Sequence, residues 1–359
     1  MLWLILAIAT FFAFSYLVLR GEDLSYLDSP LPPPSSQSES PELLQALRPI
    51  RDFAAESGGG SLLGKAKILQ ARRFMDSMTD GRTFECEFET VSNDQVVGEW
   101  VIAPGSASDK RLLYIHGGAF MAGSPRSHRA VTDRLARLTG ASVFAVDYRL
   151  MPEHRRIQGI EDCRRAYRWL LENGPKGAEP TRWMVVAGDS AGGNLTLSLL
   201  AWVRDQKLRQ ADAGVAFSPA TDGALDAPSL REHIATDVML GPAFGPLARF
   251  PKVLLLWYTW ITTRMMPRDA RVSPVRDDLQ GLPPILVQAS NSEMLLDDSR
   301  RYVAKAQAAE SPVVLQTWPG MPHVWQIFTP DLPEAEEAYQ KVEQFLDSVA
   351  RGSVAEQAA

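Results

Sequence analysis

A single serine lies among small residues in the segment AGDSAGGN, residues 187 to 194. Ser190 follows WMVVA, which is typical of a strand, and precedes GGNLTLSLLAWVRD, which is typical of a helix. A sharp strand-to-helix turn exposes the hydroxyl of its central residue in strained backbone geometry, and only small neighbours fit around it. The G-x-S-x-G pattern from Gly188 to Gly192 therefore predicts a nucleophile. The alternative is a tight loop with a purely structural role.

A second glycine-rich segment, HGGAF, lies upstream at the end of the apolar run LLYI. Paired glycines just past a strand allow backbone N–H groups to point into a cavity and stabilise an oxyanion. We expect Gly117 and Gly118 to supply such donors, together with the N–H of Ala191 beside the serine. An isolated HGG is more typical of a simple turn, but the serine motif downstream favours an oxyanion hole.

The base that would activate Ser190 is predicted near the end of the chain. Of the five histidines, only His323 follows both the serine and a predicted strand end, in PGMPHVWQ. The order nucleophile, acid, histidine is the one found with a strand–turn–helix nucleophile. The other histidines are His116 in HGGAF, His128 in a predicted helix, His154 before the serine motif and His233 in a strandless stretch.

The third member of such a triad is a carboxylate that orients the histidine ring. It must lie just past the predicted strand ILVQAS, where NSEMLLDDS offers Glu293, Asp297 and Asp298. Asp297 and Asp298 fall at the start of a predicted helix, a position where carboxylates commonly cap free N–H groups. The residues alone leave all three candidates open.

Short apolar runs alternate with helical patterns from Arg111 onward, a rhythm that predicts an α/β fold with a mostly parallel sheet and helices on both faces. Ligands bind beyond the carboxyl ends of strands in such sheets. The stretch 222–271 has no predicted strand and contains KVLLLWYTWITTRMM, which predicts a helical lid or an ordinary buried helix. The predicted strands are TFECEFETV, RLLYIHGG, SVFAVDY, WMVVAG, AGVAFSP, ILVQAS and VVLQTWPG.

The composition excludes several classes of protein. The chain has 359 residues, 45% of them hydrophobic, which indicates one globular domain with insertions. A net charge of −6 and the lack of a basic cluster argue against nucleic-acid binding. Cys86 and Cys163 lack metal-ligand spacing, so we expect buried free thiols and no metal site.

The first segment of the chain is uncharged and apolar from Leu2 to Leu19. At about 1.5 Å per residue, a helix of this length just crosses a hydrocarbon core of roughly 30 Å. A basic start and a small-residue cleavage site are missing, which favours a retained membrane anchor over a cleaved signal peptide. A helix lying on the bilayer or on the protein is a third possibility. Arg20 and the acidic residues after it leave the side of the membrane unspecified.

The chain from about Arg111 to Leu346 resembles the hormone-sensitive-lipase-like α/β-hydrolases, which include bacterial acetyl-esterases and arylacetamide deacetylase. The resemblance implies an α/β-hydrolase fold, hydrolysis of carboxylic esters through an acyl-enzyme, no cofactor, and a cap made of N-terminal helices and the insertion. Its motifs are YIHGGAF, AGSPRSHR, VDYRLMPEH, EDCRRAYRWL, AGDSAGGN, LLDDSRRY and WPGMPHVWQIF.

The composition and the resemblance together predict a division of the chain. Residues 1–20 would be the anchor, 21–41 a Pro/Ser-rich linker, 42–80 cap helices, 81–350 the hydrolase domain with the insertion 222–271, and 351–359 a tail. Lactonase or amidase activity would use the same machinery, and a receptor of this fold that has lost catalysis is a more distant alternative. The substrate is expected to be a small-molecule ester, and the oligomeric state is left open.

The chain departs from the family pattern at three places. Ala119 replaces the third glycine of HGGG, although its N–H remains available. Arg155 and Arg156 stand where PEHPFP is common, with no explanation from sequence. Many relatives have Asp-Pro-Leu-x-Asp near the acid, and laying that pattern on NSEMLLDDS places Glu293 at the catalytic position. Asp147, Arg149 and Glu153 are expected to brace loops around the serine motif.

Overall fold

One mixed sheet of eight strands forms the centre of the computed structural model. The strands are β1 (Glu87–Ser92), β2 (Val97–Ile102), β3 (Ala107–Ile115), β4 (Ala141–Val146), β5 (Trp183–Asp189), β6 (Ala213–Phe217), β7 (Ile285–Ser290) and β8 (Val313–Trp318). They lie in the order β1-β2-β4-β3-β5-β6-β7-β8. Strand β2 runs antiparallel to β1 and β4, and the remaining pairs are parallel.

Strand β2 is absent from the sequence-based prediction. Its segment VGEWVI has Gly98 and Glu99 in the middle, which breaks both an alternating and a continuous apolar pattern. The structure accounts for both residues. A Cβ on Gly98 would lie 2.7 Å from the ring of Phe144 in β4, and Glu99 pairs with Arg129 at 3.0 Å. Tertiary contacts, rather than local pattern, therefore define this strand.

Helices cover both faces of the sheet, as the alternation of strands and helices predicts. Helices α4 (Arg129–Thr139) and α11 (Pro333–Arg351) pack on one face. Helices α5 (Arg156–Glu172), α6 (Ala191–Asp205) and α10 (Leu296–Ala308) pack on the other. Alternate residues of β3 enter the two cores, which explains why the strands are continuous apolar runs. Cys86 and Cys163 are buried free thiols.

A layer of helices, called the cap below, lies above the carboxyl ends of the strands. It consists of α2 (Pro41–Glu56), α3 (Lys65–Ser77), α7 (Ser229–Glu232), α8 (Leu240–Ala248) and α9 (Lys252–Thr263). The last three come from the strandless stretch between β6 and β7. At the amino end of the chain, helix α1 (Leu2–Ala13) continues as a π-helical segment, Phe14–Arg20.

The structure describes residues 1–31, 40–57 and 64–352. Residues 32–39 of the predicted linker, the glycine run after Ser57 and the end of the predicted tail lie outside the described residues. Shorter elements within these ranges are 3₁₀ turns at Ser25–Leu27, Arg126–His128, Pro274–Arg276 and Trp325–Phe328, and a two-residue pairing of Asn173–Gly174 with Gly177–Ala178.

Candidate active site

The turn between β5 and α6 has the strained geometry that the serine motif predicts. Ser190 has φ 52° and ψ −114°, a conformation that L-residues rarely adopt. The glycines are required by crowding. A Cβ on Gly188 would lie 2.6 Å from the carbonyl oxygen of Gly192, and one on Gly192 would collide with the carbonyl oxygen of Ile115. This strained turn projects the hydroxyl of Ser190 beyond the end of the sheet.

Two hydrogen bonds connect Ser190 to a buried carboxylate through one histidine. Nε2 of His323 lies 2.9 Å from Oγ of Ser190, and Nδ1 lies 2.7 Å from Oε2 of Glu293. The other carboxylate oxygen of Glu293 accepts the backbone N–H of Ser290 at 3.0 Å, which fixes the orientation of the carboxylate. With the ring proton on Nδ1, His323 donates to Glu293 and accepts from the serine hydroxyl, the arrangement that a general base needs.

The environment of His323 favours its protonated form. Burial lowers the pKa of His323, but the hydrogen bond and negative charge of Glu293, together with the charges of Asp237 and Asp189, outweigh this effect. The pKa of His323 therefore lies above its ordinary value of 6.5. This is the direction expected for a ring that must accept a proton from a hydroxyl.

The other two acid candidates bind elsewhere, and not as caps of their own helix. Asp297 accepts the backbone N–H of Ser229 at 2.9 Å. Asp298 accepts the N–H groups of Thr221 and Asp222 at 2.6 and 3.0 Å. The prediction that they cap α10 is wrong, because their carboxylates reach across to the segment that leads into the cap. Burial and the nearby Asp222 charge raise the pKa of Asp298 to about 7.

The predicted set of oxyanion donors needs one correction. The N–H of Gly117 donates to Oδ1 of Asp189 at 2.9 Å, so it is not available to a substrate. Among the described residues, the N–H groups of Gly118, Ala119 and Ala191 donate no hydrogen bond, and all three residues line the cavity. Positive φ angles of 111° at Gly118 and 55° at Ala119 turn this loop sharply. The available donors are therefore shifted by one residue, to Gly118 and Ala119.

Asp189 anchors the loop that carries these donors, a function that the sequence reasoning missed. Besides Gly117, its Oδ1 accepts the hydroxyl of Tyr114 at 2.6 Å and lies 3.4 Å from Nε2 of His128. Burial raises the pKa of Asp189, but His128 and Tyr114 lower it further, so that the net shift is downward. The presence of an acidic residue directly before the serine is the sequence feature that could have indicated this role.

The insertion holds the loop that carries Glu293. Its segment before α8 makes three contacts with this loop, none of them apparent from sequence. They are His233 Nδ1 to the Glu293 carbonyl oxygen at 3.0 Å, the Thr236 hydroxyl to the Ser292 carbonyl oxygen at 2.9 Å, and the Met294 N–H to Asp237 at 2.9 Å.

Two of the three residues predicted to brace loops make ion pairs. Arg149 pairs with Asp162 of α5 at 2.8 Å, and Glu153 pairs with Arg72 of α3 at 2.8 Å. The side chain of Asp147 is exposed and makes no ion pair among the described residues. The two pairs tie the loop after β4 to helices on either side of it.

A cavity of about 400 Å³ lies between the cap and the sheet, with Ser190 and His323 on its floor. Its walls are mainly apolar, a composition that suits the hydrocarbon parts of a small organic molecule. The cap contributes side chains such as Phe53, Phe74, Leu247 and Leu255. Arg156 is a charged side chain in this mainly apolar wall.

Residues 112–327 match the model of a family described as having the alpha/beta hydrolase fold, and the chain belongs to this family. An acetyl-hydrolase from Streptomyces hygroscopicus is 36% identical over 72% of this chain and 82% of its own length. Carboxylesterase/phospholipase LipF from Mycobacterium tuberculosis is 32% identical over 74% of this chain and 70% of its own.

Similarity to solved structures supports the same family assignment. The crystal structure of an esterase from the bacterial hormone-sensitive lipase family superposes with a TM-score of 0.73 at 34% identity. The match covers 86% of this chain and 98% of that one. The resemblance seen in the sequence motifs is confirmed, and the protein is a serine ester hydrolase of the hormone-sensitive-lipase-like group.

Proposed function

We propose that Ser190, His323 and Glu293 form the catalytic triad of an esterase that cleaves carboxylic esters with short to medium acyl chains. The observation that carries this proposal is the continuous path of two hydrogen bonds from the serine hydroxyl through the histidine to a buried carboxylate. This path ends at the floor of a cavity large enough for a small ester. The acetyl-hydrolase relative is in keeping with a short acyl group.

The reaction follows from the positions of these groups. Nε2 of His323 removes the proton from Ser190 as Oγ attacks the ester carbonyl. The N–H groups of Gly118, Ala119 and Ala191 stabilise the resulting oxyanion, each such donor contributing about 3 kcal/mol. The protonated histidine then gives its proton to the departing alcohol, which leaves an acyl group on Ser190. Water repeats the cycle and releases the carboxylic acid.

Hydrolysis of p-nitrophenyl acetate and butyrate tests this proposal. We expect Ser190→Ala to lower kcat by at least about 1,000-fold, because the nucleophile is lost. Ser198→Ala is a matched control, since Ser198 lies two turns further along α6 and its hydroxyl donates to the Leu195 carbonyl of its own helix. Wild-type turnover by the Ser190 variant would contradict the proposal. Adding lactones and anilides to the substrate panel separates esterase from lactonase and amidase activity.

We also propose that Leu2–Arg20 is a retained membrane anchor. It is 19 residues long, its mean hydropathy is 2.3, and only 11% of it is buried in the protein. Its carboxyl end makes specific contacts with cap helix α9 and with the segment between β6 and α7. Leu19 is fully buried, the indole of Trp257 donates to Ser15 at 2.9 Å, and Arg20 pairs with Asp226 at 2.8 Å. Such contacts favour a segment that stays with the mature protein over a cleaved signal.

A further inference from the structure

Arg156 is a buried cation that has no ion-pair partner among the described residues. It is the first residue of α5, only 2% of it is exposed, and it lies in the wall of the cavity. Nη2 donates to the side-chain oxygen of Asn194 at 2.7 Å. Nε is buried and has no hydrogen-bond acceptor among the described residues. A buried donor without an acceptor is costly, and a buried charge without a partner is more so.

The neighbours of Arg156 do not neutralise it. The guanidinium carbon lies 3.7 Å from the ring centroid of Phe120, a favourable contact that supplies no negative charge. Two acids, Asp189 and Asp222, also line the cavity. Asp189 is engaged by the donors described above, and Asp222 accepts two hydrogen bonds from Arg276 at 2.9 Å.

The side chain of Asn194 cannot rotate to offer Arg156 a second hydrogen-bond acceptor. Its amide nitrogen donates to the carbonyl oxygens of Ala220 and Val272 at 2.7 and 2.8 Å. These two bonds fix the side chain, so that its single oxygen is presented to Arg156. The guanidinium is therefore held rigidly between two neighbours while part of its donor set is unused. Burial lowers the pKa of Arg156 to about 10, which still leaves it charged at neutral pH.

The charge of Arg156 lies close to the groups that the proposed reaction uses. Asn194 lies one helical turn after Ser190, and its N–H donates to the Ser190 carbonyl at 3.0 Å. Phe120 follows directly on Ala119 in the loop with the available oxyanion donors. The cation thus lies beside both segments that would surround a reacting carbonyl, in a cavity whose walls are mainly apolar.

We propose that Arg156 binds an anionic group of the substrate, so that the preferred substrates are esters that also carry a carboxylate. This proposal rests on the esterase function and adds the substrate class. A planar guanidinium with unused N–H groups matches a carboxylate in shape and charge. The carboxylate would supply both the missing acceptor and the missing counter-charge. It could belong to the acyl part or to the alcohol part of the ester, and the experiment distinguishes these two sources.

The test compares matched pairs of esters in a pH-stat. Monoethyl glutarate and ethyl pentanoate differ only by a carboxylate in place of a methyl group on the acyl side. The pair 4-acetoxybutanoate and butyl acetate differs in the same way on the alcohol side. We expect wild-type kcat/KM to be higher for the anionic member of at least one pair. The pair that shows the preference identifies the part of the substrate that Arg156 contacts.

Two substitutions sharpen the comparison. Arg156→Met should lower the anionic-to-neutral ratio of kcat/KM by about 10- to 100-fold, the range for losing hydrogen bonds to a charged group. Arg156→Lys keeps the charge and should retain a higher ratio than the methionine variant. Arg155→Met is the matched control, since Arg155 is exposed and adjacent in sequence, and it should leave the ratio unchanged.

The outcomes separate this proposal from the esterase proposal. If wild-type protein hydrolyses the neutral esters and kcat/KM is higher for the anionic member in neither pair, the anion site is contradicted and the esterase function stands. An Arg156→Met variant with an unchanged ratio would also contradict the anion site. If wild-type protein hydrolyses none of the four esters, both proposals fail. The wild-type ratios remain decisive even if the methionine variant does not fold.

Discussion

The proposed base, His323, gains most of its proton affinity from Glu293, and the charges of Asp237 and Asp189 add to the effect. In Glu293→Gln the amide oxygen can still accept the Ser290 N–H, but the amide nitrogen then faces Nδ1–H of the ring, so two donors oppose each other. We expect kcat/KM to fall by about 1,000- to 10,000-fold with little change in Tm. Only neutral His323 can accept the serine proton, and Glu293 raises its pKa, so wild-type activity should fall as the pH drops through a value above 6.5. The residual activity of the variant should fall at a lower pH than this.

Asp297→Asn is the matched control for Glu293→Gln. It weakens the ion pair with Arg300 and the bond from Ser229, so it should lower the free energy of unfolding by about 1 kcal/mol while activity persists. A large loss of activity in Asp297→Asn and a small one in Glu293→Gln would move the acid assignment to Asp297.

Residue types and strand ends were enough to predict which side chains meet at the turn. Ser190, Glu293 and His323 were each placed after the correct strand, although the choice of Glu293 depended on the family pattern. Gly117 was misassigned because sequence cannot show which N–H groups are already bonded, and here Asp189 takes that donor. The sequence does not explain Arg156, because its role depends on side chains that are distant in sequence but close in space.

At the scale of elements, the cap insertion contacts the loop that carries Glu293. Asp237 accepts the N–H of Met294, next to Glu293, and also the N–H groups of Met239 and Leu240 at the start of α8. Its carboxylate therefore links the insertion to the acid loop. The loss of one such link in Asp237→Ala leaves buried N–H groups without an acceptor.

We expect Asp237→Ala to lower both Tm and kcat/KM for p-nitrophenyl butyrate, the latter by about 10-fold or more. Glu232→Ala is a suitable control, because Glu232 is an exposed residue of the same insertion. A variant with reduced Tm and full activity would mean that the contact stabilises the cap without orienting Glu293.

Element types were predictable wherever the pattern was long and regular. Helix α6 begins within one residue of the segment GGNLTLSLLAWVRD that was predicted to be helical and ends with it, because amphipathic periodicity records burial directly. Strand β2 and the contacts of Asp297 and Asp298 were not predictable. They depend on segments far apart in sequence, which no local pattern records.

For the whole molecule, the proposed anchor and the cap form one continuous structure. The ring of Phe11 stacks on Trp257 of α9 with centroids 5.3 Å apart, and α9 also lines the cavity. Phe250 and Leu254 near the start of α9 are about half exposed. An anchored protein would therefore hold its substrate cavity close to the membrane surface.

Full-length protein should pellet with membranes and resist alkaline carbonate extraction. A protein that begins at Phe14 should be soluble and active, because it keeps the residues that pack on the cap. One that begins at Ser29 should be soluble too but have a lower Tm, since it loses buried Leu19 and the Arg301–Asp28 ion pair. Release of intact full-length protein by carbonate would indicate a peripheral helix instead of an anchor.

Labelling with a fluorophosphonate, followed by peptide mapping in a mass spectrometer, tests the central claim most directly. Such a reagent reacts with a serine that a neighbouring base has activated, and it stops at the covalent stage. We predict one adduct per chain, located on Ser190. Ester hydrolysis should be lost in proportion to the fraction of Ser190 that is labelled. An unlabelled Ser190 in protein that still hydrolyses esters, or an adduct on a different serine, would contradict the account.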